Sequence, residues 1–239
     1  MAERLPGLTV FLPAYNEEES IERAVAEAVG SLPRFADAFE VVIVDDGSRD
    51  RTGEIAERLA AADHRVRAIH HRPNRGYGGA VRSGLESARY PYVFFTDSDH
   101  QFRVADLGLL VHELEGADAV IGYRAKRMDP RRRLVIAWVY KQVIGVLFGY
   151  GFRDVDCAYK LFRTAVFERV PLRDIRSDGA FFSAELLLRL RAAGARIRQV
   201  PVPHHPRVAG RAAGAAPKVV LRTLRDLARL RLALWLRRA

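Results

Sequence analysis

The segment Val93-Phe94-Phe95-Thr96-Asp97-Ser98-Asp99-His100-Gln101 holds the residues best suited to chemistry. Its apolar start predicts a short buried strand. That strand stops at two carboxylates one residue apart. In an extended chain alternate side chains face the same way, so Asp97 and Asp99 converge at the strand's end, and Gln101 continues the alternation with a neutral oxygen. Three hard oxygen donors at i, i+2 and i+4 suit Mg²⁺ or Mn²⁺, which take carboxylate oxygens and keep phosphate or water as further ligands. Asp-Ser-Asp alone is a common tripeptide, and taken by itself it is better explained as an acidic turn after a strand. The rest of the chain has to supply the context.

Those residues need a frame. Leu8 to Leu12 reads as a buried strand ended by Pro13, and Asn16 followed by Glu17, Glu18 and Glu19 suits the positive first turn of a helix. That helix carries Ile21, Ala24, Val25, Ala28 and Val29. Glu40 to Val44 is a second strand, ending in Asp45-Asp46-Gly47-Ser48, and Asp50 and Thr52 lead into a helix through Ala61. Val66 to Ile69 is a weaker third strand. The loop Asn74-Arg75-Gly76-Tyr77-Gly78-Gly79 precedes a helix over Ala80 to Ala88. After the strand at Val93 come a helix near Asp106 to Leu114 and a fifth strand, Ala119-Val120-Ile121. Strands alternating with helices imply an α/β fold with a mostly parallel central sheet, whose ligands bind beyond the carboxyl ends of the strands. Pro13-Ala14-Tyr15, Asp45-Asp46, Gly76 to Gly79, Asp97 to Gln101 and Gly122-Tyr123-Arg124 all fall on that edge. No phosphate loop of the G-x-x-x-x-G-K-[ST] type occurs, and Gly76-Tyr77-Gly78-Gly79-Ala80-Val81 has valine where a dinucleotide fingerprint needs glycine.

The 239 residues suffice for a packed core, with 49% apolar and 28% charged residues. The net charge of +10 attracts polyanions: nucleic acid, anionic lipid or phosphorylated substrates. Nucleic acid is the poorest of these, because no zinc or helix-turn-helix pattern is present and Asp45, Asp46, Asp97 and Asp99 would repel a phosphate backbone. Cys157 is the only cysteine, which excludes an intrachain disulfide and suits a reducing compartment. The apolar run after Glu3 and Arg4 is too short for a signal peptide, so the expected location is the cytoplasm or the cytosolic face of a membrane.

Pro13-Ala14-Tyr15-Asn16-Glu17, Asp45-Asp46-Gly47-Ser48 with Asp50 and Thr52, Asn74-x-Gly76 with Ala80 and Gly84, and Asp97-x-Asp99-x-Gln101 resemble, in order and spacing, the motifs of family-2 glycosyltransferases of GT-A fold. The similar subgroup is the polyprenyl-phosphate glycosyltransferases, typified by dolichyl-phosphate mannose synthase. The resemblance implies inverting, metal-dependent transfer of a mannose- or glucose-type sugar from a GDP- or UDP-sugar to a polyprenyl phosphate, or to a soluble hydroxyl acceptor as the alternative. It implies a donor site of Pro13, Ala14, Tyr15, Glu17, Asp45, Asp46, Gly76, Asp97, Ser98 and Arg124, with Asp97, Asp99 and Gln101 on Mg²⁺ or Mn²⁺. The segment Asp154 to Arg163 resembles the one that presents a catalytic acidic residue to the acceptor. That role passes to Asp156, with Asp154 competing, and Glu185 is expected to orient the acceptor end. His204-His205-Pro206-Arg207-x-x-Gly210 resembles the acceptor loop, whose Arg207 contacts phosphate. The serine-lysine pair usual in the family is absent, which leaves the closing cation open between Arg211 and Lys218. His204 and His205 suit a metal, although a histidine pair between prolines more often marks a surface loop.

The expected organisation is a catalytic domain over 1–216, with a nucleotide-binding half (1–125) and an acceptor half (126–216), then a basic amphipathic helix over 217–239. Leu134 to Phe152 is long and apolar. Lys141, Gln142 and three glycines argue against a membrane crossing, and a crossing would also separate Asp156 from Asp97 and Asp99. A buried helix and an interfacial one both fit, and Lys126, Arg127, Arg131, Arg132 and Arg133 before it suit an anionic membrane surface. From Pro217, Leu221, Leu224, Ala228, Leu232 and Trp235 share one face beside Arg222, Arg225 and Arg229. That pattern fits a helix lying on a membrane and equally one packed on the sheet.

Overall fold

A computed structural model describes residues 4–126, 128, 131–206 and 217–236, and for 131–133, 217–221 and 233–236 the backbone alone. Arg207 and Arg211 lie outside the described residues, as does the side chain of Lys218. Seven strands form one sheet: β1 (Leu8–Ala14), β2 (Phe39–Asp45), β3 (Val66–His70), β4 (Tyr92–Thr96), β5 (Ala119–Arg124), β6 (Tyr159–Arg163) and β7 (Ile197–Val202), in the order β3-β2-β1-β4-β6-β5-β7. β1, β2 and β4 are near-continuous apolar runs because helices cover both faces of the sheet. β3 reads more weakly because it is an edge strand and only half-buried.

β6 runs antiparallel to both β4 and β5, whereas the other pairs are parallel. Neither β6 nor β7 is evident as a strand in the sequence. β6 carries Lys160 as its second residue, where a charge argues against burial, and β7 is an edge strand with Arg198, Gln199 and Pro201. The reversal matters for the site. Tyr159, the first residue of β6, lies opposite Thr96, the last of β4, so the segment leading into β6 reaches the edge from which Asp97 emerges.

The helices are α1 (Ile21–Ser31), α2 (Thr52–Ala62), α3 (Tyr77–Glu86), α4 (Gly108–Val111), α5 (Arg131–Phe148), α6 (Val166–Arg169), α7 (Phe182–Ala192) and α8 (Pro217–Leu236). Three depart from the sequence expectation. α1 starts at Ile21, because Asn16 adopts a left-handed φ of 55° and Glu17 to Glu19 form turns. α3 starts at Tyr77, because Gly76 (φ 84°) makes the turn that a bulkier residue resists; a Cβ there would meet the Asp178 carbonyl oxygen at 2.7 Å. The segment after Arg103 has one 3₁₀ turn and the single-turn α4 in place of a long helix.

The core lies on both faces of the sheet, with Phe11 stacked on Phe95 (5.2 Å) and Phe94 edge-on to Tyr159 (4.7 Å). α5 is both core and surface: Tyr140, Val143, Ile144 and Leu147 pack inward, while Val135, Trp138, Val139 and Val146 are exposed. α8 repeats this, with Leu227 and Leu230 buried and Leu224, Ala228 and Leu232 exposed. No helix among the described residues is long and apolar enough to cross a membrane.

Candidate active site

A cleft of about 580 Å³ opens at the carboxyl edge of the sheet. Pro13, Ala14, Tyr15, Glu17, Asp46, Asn74, Gly76 and Tyr77 line one side, and Asp97, Ser98, Asp99, Gln101, Arg124 and Asp156 the other. Most of the expected site residues therefore meet in one cavity.

The donor-side loops are tied together by the polar motif after β2. The backbone N–H of Asn16 donates to Ser48 Oγ (2.9 Å), that of Glu17 to Thr52 Oγ1 (2.8 Å) and that of Glu18 to Asp50 Oδ2 (3.2 Å). Asn16 returns the link, accepting the Arg49 N–H at 2.8 Å. Ser48, Asp50 and Thr52 thus shape the wall and lie outside the cleft lining. Asp45, expected in the donor site, does too. Adjacent residues at a strand end face opposite ways, so Asp46 enters the cleft and Asp45 turns away to accept from Ser48 N (2.9 Å) and pair with His70 (2.9 Å). Burial pushes the Asp45 carboxyl up, yet the bonds from Ser48 and His70 outweigh it and hold it below the ordinary value.

On the other wall the chain bends after β4. Asp99 Oδ1 accepts the Gln101 N–H (3.0 Å), and Ser98 Oγ donates to the Pro13 carbonyl (3.3 Å). Tyr77, unremarked in the sequence, reaches these carboxylates. Burial pushes its phenol well above the ordinary value, and the charge of Asp97, which its hydroxyl hydrogen-bonds, adds to this, followed by Asp156 and Asp99. Three carboxylates thus act on one hydroxyl. Among the described residues no three His, Cys, Asp or Glu side chains form a ready metal cluster. The donor set is nonetheless the right chemistry for a hard divalent cation: Asp97, Asp99 and Gln101 present oxygens to one cavity.

Asp156 is exposed and lines both this cleft and a second cavity of about 220 Å³, walled by Ala137, Trp138, Tyr140, Ile144, Tyr150 and Phe152. Asp154 lines only the second and grips Arg124 through Nε (2.6 Å) and Nη2 (2.8 Å). Arg124 reaches the cleft with that edge of its guanidinium committed. The neighbouring Cys157 is buried, and burial first, then the Asp154 charge, pushes its thiol up to about 12, which makes it inert as a nucleophile.

Glu185 does not line the cleft. It is buried, accepts from Ser177 N (3.0 Å), Ser177 Oγ and Arg176 N (3.2 Å), and pairs with Arg189 (2.7 Å), so it fastens the loop whose Gly179 and Ala180 form the cleft wall. His204 is no surface residue either. It is buried against Phe102 (5.4 Å) and accepts the Met128 N–H (3.1 Å), while the His205 N–H donates to the Gln101 carbonyl (2.9 Å). Arg222 and Asp226 of α8 also line the cleft, a proximity no local pattern in the sequence signals.

Comparison with known proteins bears on the family and the fold. The profile of Glycosyl transferase family 2 matches residues 9–171. The chain is 36% identical over 210 residues to glycosyltransferase AglD of Haloferax volcanii, covering 84% of this chain and 33% of that protein. It is 30% identical over 211 residues to polyprenol monophosphomannose synthase of Mycolicibacterium smegmatis, covering 84% and 78%. The chain thus spans about a third of the first relative and most of the second. Among solved structures, glucosyl-3-phosphoglycerate synthase of Mycobacterium tuberculosis with Mn²⁺, UDP and phosphoglyceric acid superposes with a TM-score of 0.73 at 20% identity, over 95% of this chain and 78% of that one. The fold is therefore GT-A, and the chain belongs to glycosyl transferase family 2.

Proposed function

We propose that the protein transfers a sugar from a nucleoside-diphosphate sugar to a polyprenyl phosphate, inverting the anomeric carbon. The observation that carries this reading is the position of Asp156, at the junction of the donor cleft and an aromatic-walled cavity beneath the apolar helix α5. The nucleoside lies against Pro13, Ala14, Tyr15, Glu17 and Asp46, and the diphosphate near Asp97, Asp99 and Arg124. Asp97, Asp99 and Gln101 would hold Mg²⁺ or Mn²⁺, which offsets the charge growing on the leaving diphosphate. An acceptor phosphate oxygen attacks the anomeric carbon as its bond to the diphosphate breaks, and the nucleoside diphosphate leaves with that electron pair. The acceptor is already anionic, so Asp156 takes no proton from it, and its part is to orient the reactants. Relatives named for polyprenyl-phosphate acceptors support the lipid acceptor over a soluble hydroxyl. So do the exposed apolar rows of α5 and α8, which suit docking on an anionic membrane surface from the cytosolic side.

Incubation with labelled UDP- and GDP-sugars, Mn²⁺ and polyprenyl-phosphate vesicles tests this. The expected result is label in the organic extract. Label moving only to water-soluble hydroxyl acceptors would overturn the lipid reading.

A further inference from the structure

Two aspartates and two histidines stand in matched pairs where β2 and β3 end. Asp45 and His70 are direct partners in the parallel register. Asp46 and His71 repeat the pairing one residue further on; the pleat turns Asp46 towards the cleft, and His71 is buried behind it, outside the cleft lining. His71 is buried, with Nδ1 2.7 Å from Asp46 Oδ1 and Nε2 2.8 Å from Ser83 Oγ on α3. Asp46 Oδ1 also accepts the Arg75 N–H (2.8 Å), and Oδ2 the Gly76 N–H (2.8 Å). Asn74 Nδ2 donates to the Asp46 carbonyl oxygen (2.6 Å). A buried carboxylate requires donors. Here they come from one ring and from the loop that forms the cleft wall.

We propose that His71 is a positioning residue of the donor site: by bonding Asp46 it fixes both that carboxylate, against which the donor's nucleoside lies, and the 74–76 wall beside it. This rests on the reading of the cleft as a nucleoside-diphosphate-sugar site. A neutral ring carrying its proton on Nδ1 satisfies both neighbours, donating to Asp46 and accepting the Ser83 hydroxyl at Nε2. One ring thereby clamps Asp46, before the loop, to α3, after it. The Asp46 carboxylate, already accepting three bonds, is a fixed part of the wall with little freedom to swing towards a ligand.

Two variants separate this role from simple packing. His71→Asn keeps a donor near the Nδ1 position, whereas His71→Gln keeps one only towards Ser83. UDP and GDP, each with Mn²⁺, are titrated into wild type and both variants by calorimetry, and amide hydrogen exchange of Arg75 and Gly76 is followed without nucleotide. The nucleotide that wild type binds is expected to bind about tenfold more weakly to the glutamine variant, as befits a lost bond to a charged group. The asparagine variant is expected to stay within about threefold of wild type, and the two amides to exchange faster only in the glutamine variant. Equal nucleotide loss in the two variants overturns the proposal, as does unchanged nucleotide affinity with only a lower melting temperature. If wild type binds neither nucleotide, the donor-site reading falls, and the donor-site role of His71 falls with it, even where the glutamine-specific amide exchange shows that the clamp exists.

Discussion

Asp99 illustrates how much a single carboxylate can be asked to do at a strand end. It is buried, one oxygen accepts the Gln101 amide, and an asparagine in its place keeps that bond while losing the charge. Asp99→Asn is therefore expected to fold normally, to bind Mn²⁺ measurably more weakly and to lose about a hundredfold or more in turnover. Unchanged Mn²⁺ titration would remove Asp99 from the metal set. On the opposite face, His70 bridges Asp45 (2.9 Å) and Glu57 (2.8 Å). Burial pulls its pKa down, but the two hydrogen bonds outweigh this and raise it above 6.5. A raised histidine stabilises the fold fully below its unfolded pKa, and that contribution fades as pH rises through the folded one. The lowered Asp45 stabilises above 3.8 and fades as pH falls through its own folded value. The pair is thus strongest between 3.8 and 6.5. Melting curves across this range and above it should show the gap between wild type and His70→Gln narrowing as pH rises past neutrality. A gap independent of pH would show that the pair contributes no linkage.

At the scale of elements, the site depends on close packing and on one reversed strand. α3 approaches β1 so closely that a Cβ on Gly84 would lie 2.1 Å from Phe11 Cδ2. Gly84→Ala should cost about 1–3 kcal/mol through overpacking. α7 is buried almost all round and holds its charge internally: Glu185 and Arg189 form a pair with side chains 4% and 9% exposed. Glu185→Ala leaves Arg189 buried without that carboxylate and should cost about 3–5 kcal/mol in urea unfolding, with Glu185→Gln milder. Nucleotide affinity should fall with it, because the Ser177 loop that Glu185 holds runs on into the cleft wall. A loss below about 1 kcal/mol would mean that Arg189 finds water or another partner.

The whole molecule presents two outward apolar rows, Val135, Trp138, Val139 and Val146 on α5 and Leu224, Ala228 and Leu232 on α8, with Arg225, Arg229 and Arg231 exposed beside them. Arg222 stands apart from these arginines, facing the cleft and lying 3.8 Å from Asp178. Headgroup attraction is screened by salt and apolar insertion is not. Sedimentation with anionic vesicles should therefore weaken between low and high salt without vanishing. Replacing Arg225 and Arg229 with glutamine should remove the salt-sensitive part, and Trp138→Ser with Leu232→Ser the resistant part. Indifference to vesicles at every salt concentration would overturn the membrane-docking reading of both rows.

Local pattern was enough for the elements whose environment is uniform. β1, β2 and β4 are buried on both faces and so read as apolar runs, and the polar residues that follow such strands share one sheet edge by topology alone. That made the cleft and most of its lining legible, together with the family. Only the tertiary structure decided which of two neighbouring carboxylates faces the cleft: Asp46 over the adjacent Asp45, and Asp156 over Asp154 two residues before it, whose carboxylate is committed to Arg124. It also revealed β6, where the buried Lys160 hides the strand, the inward turn of Glu185 and His204, and the arrival of Arg222 and Asp226 from α8. The reason is physical. Periodicity reports how much of a residue is buried, whereas orientation depends on partners brought from tens of residues away, such as the histidine pair at the end of β3 that meets the aspartate pair at the end of β2.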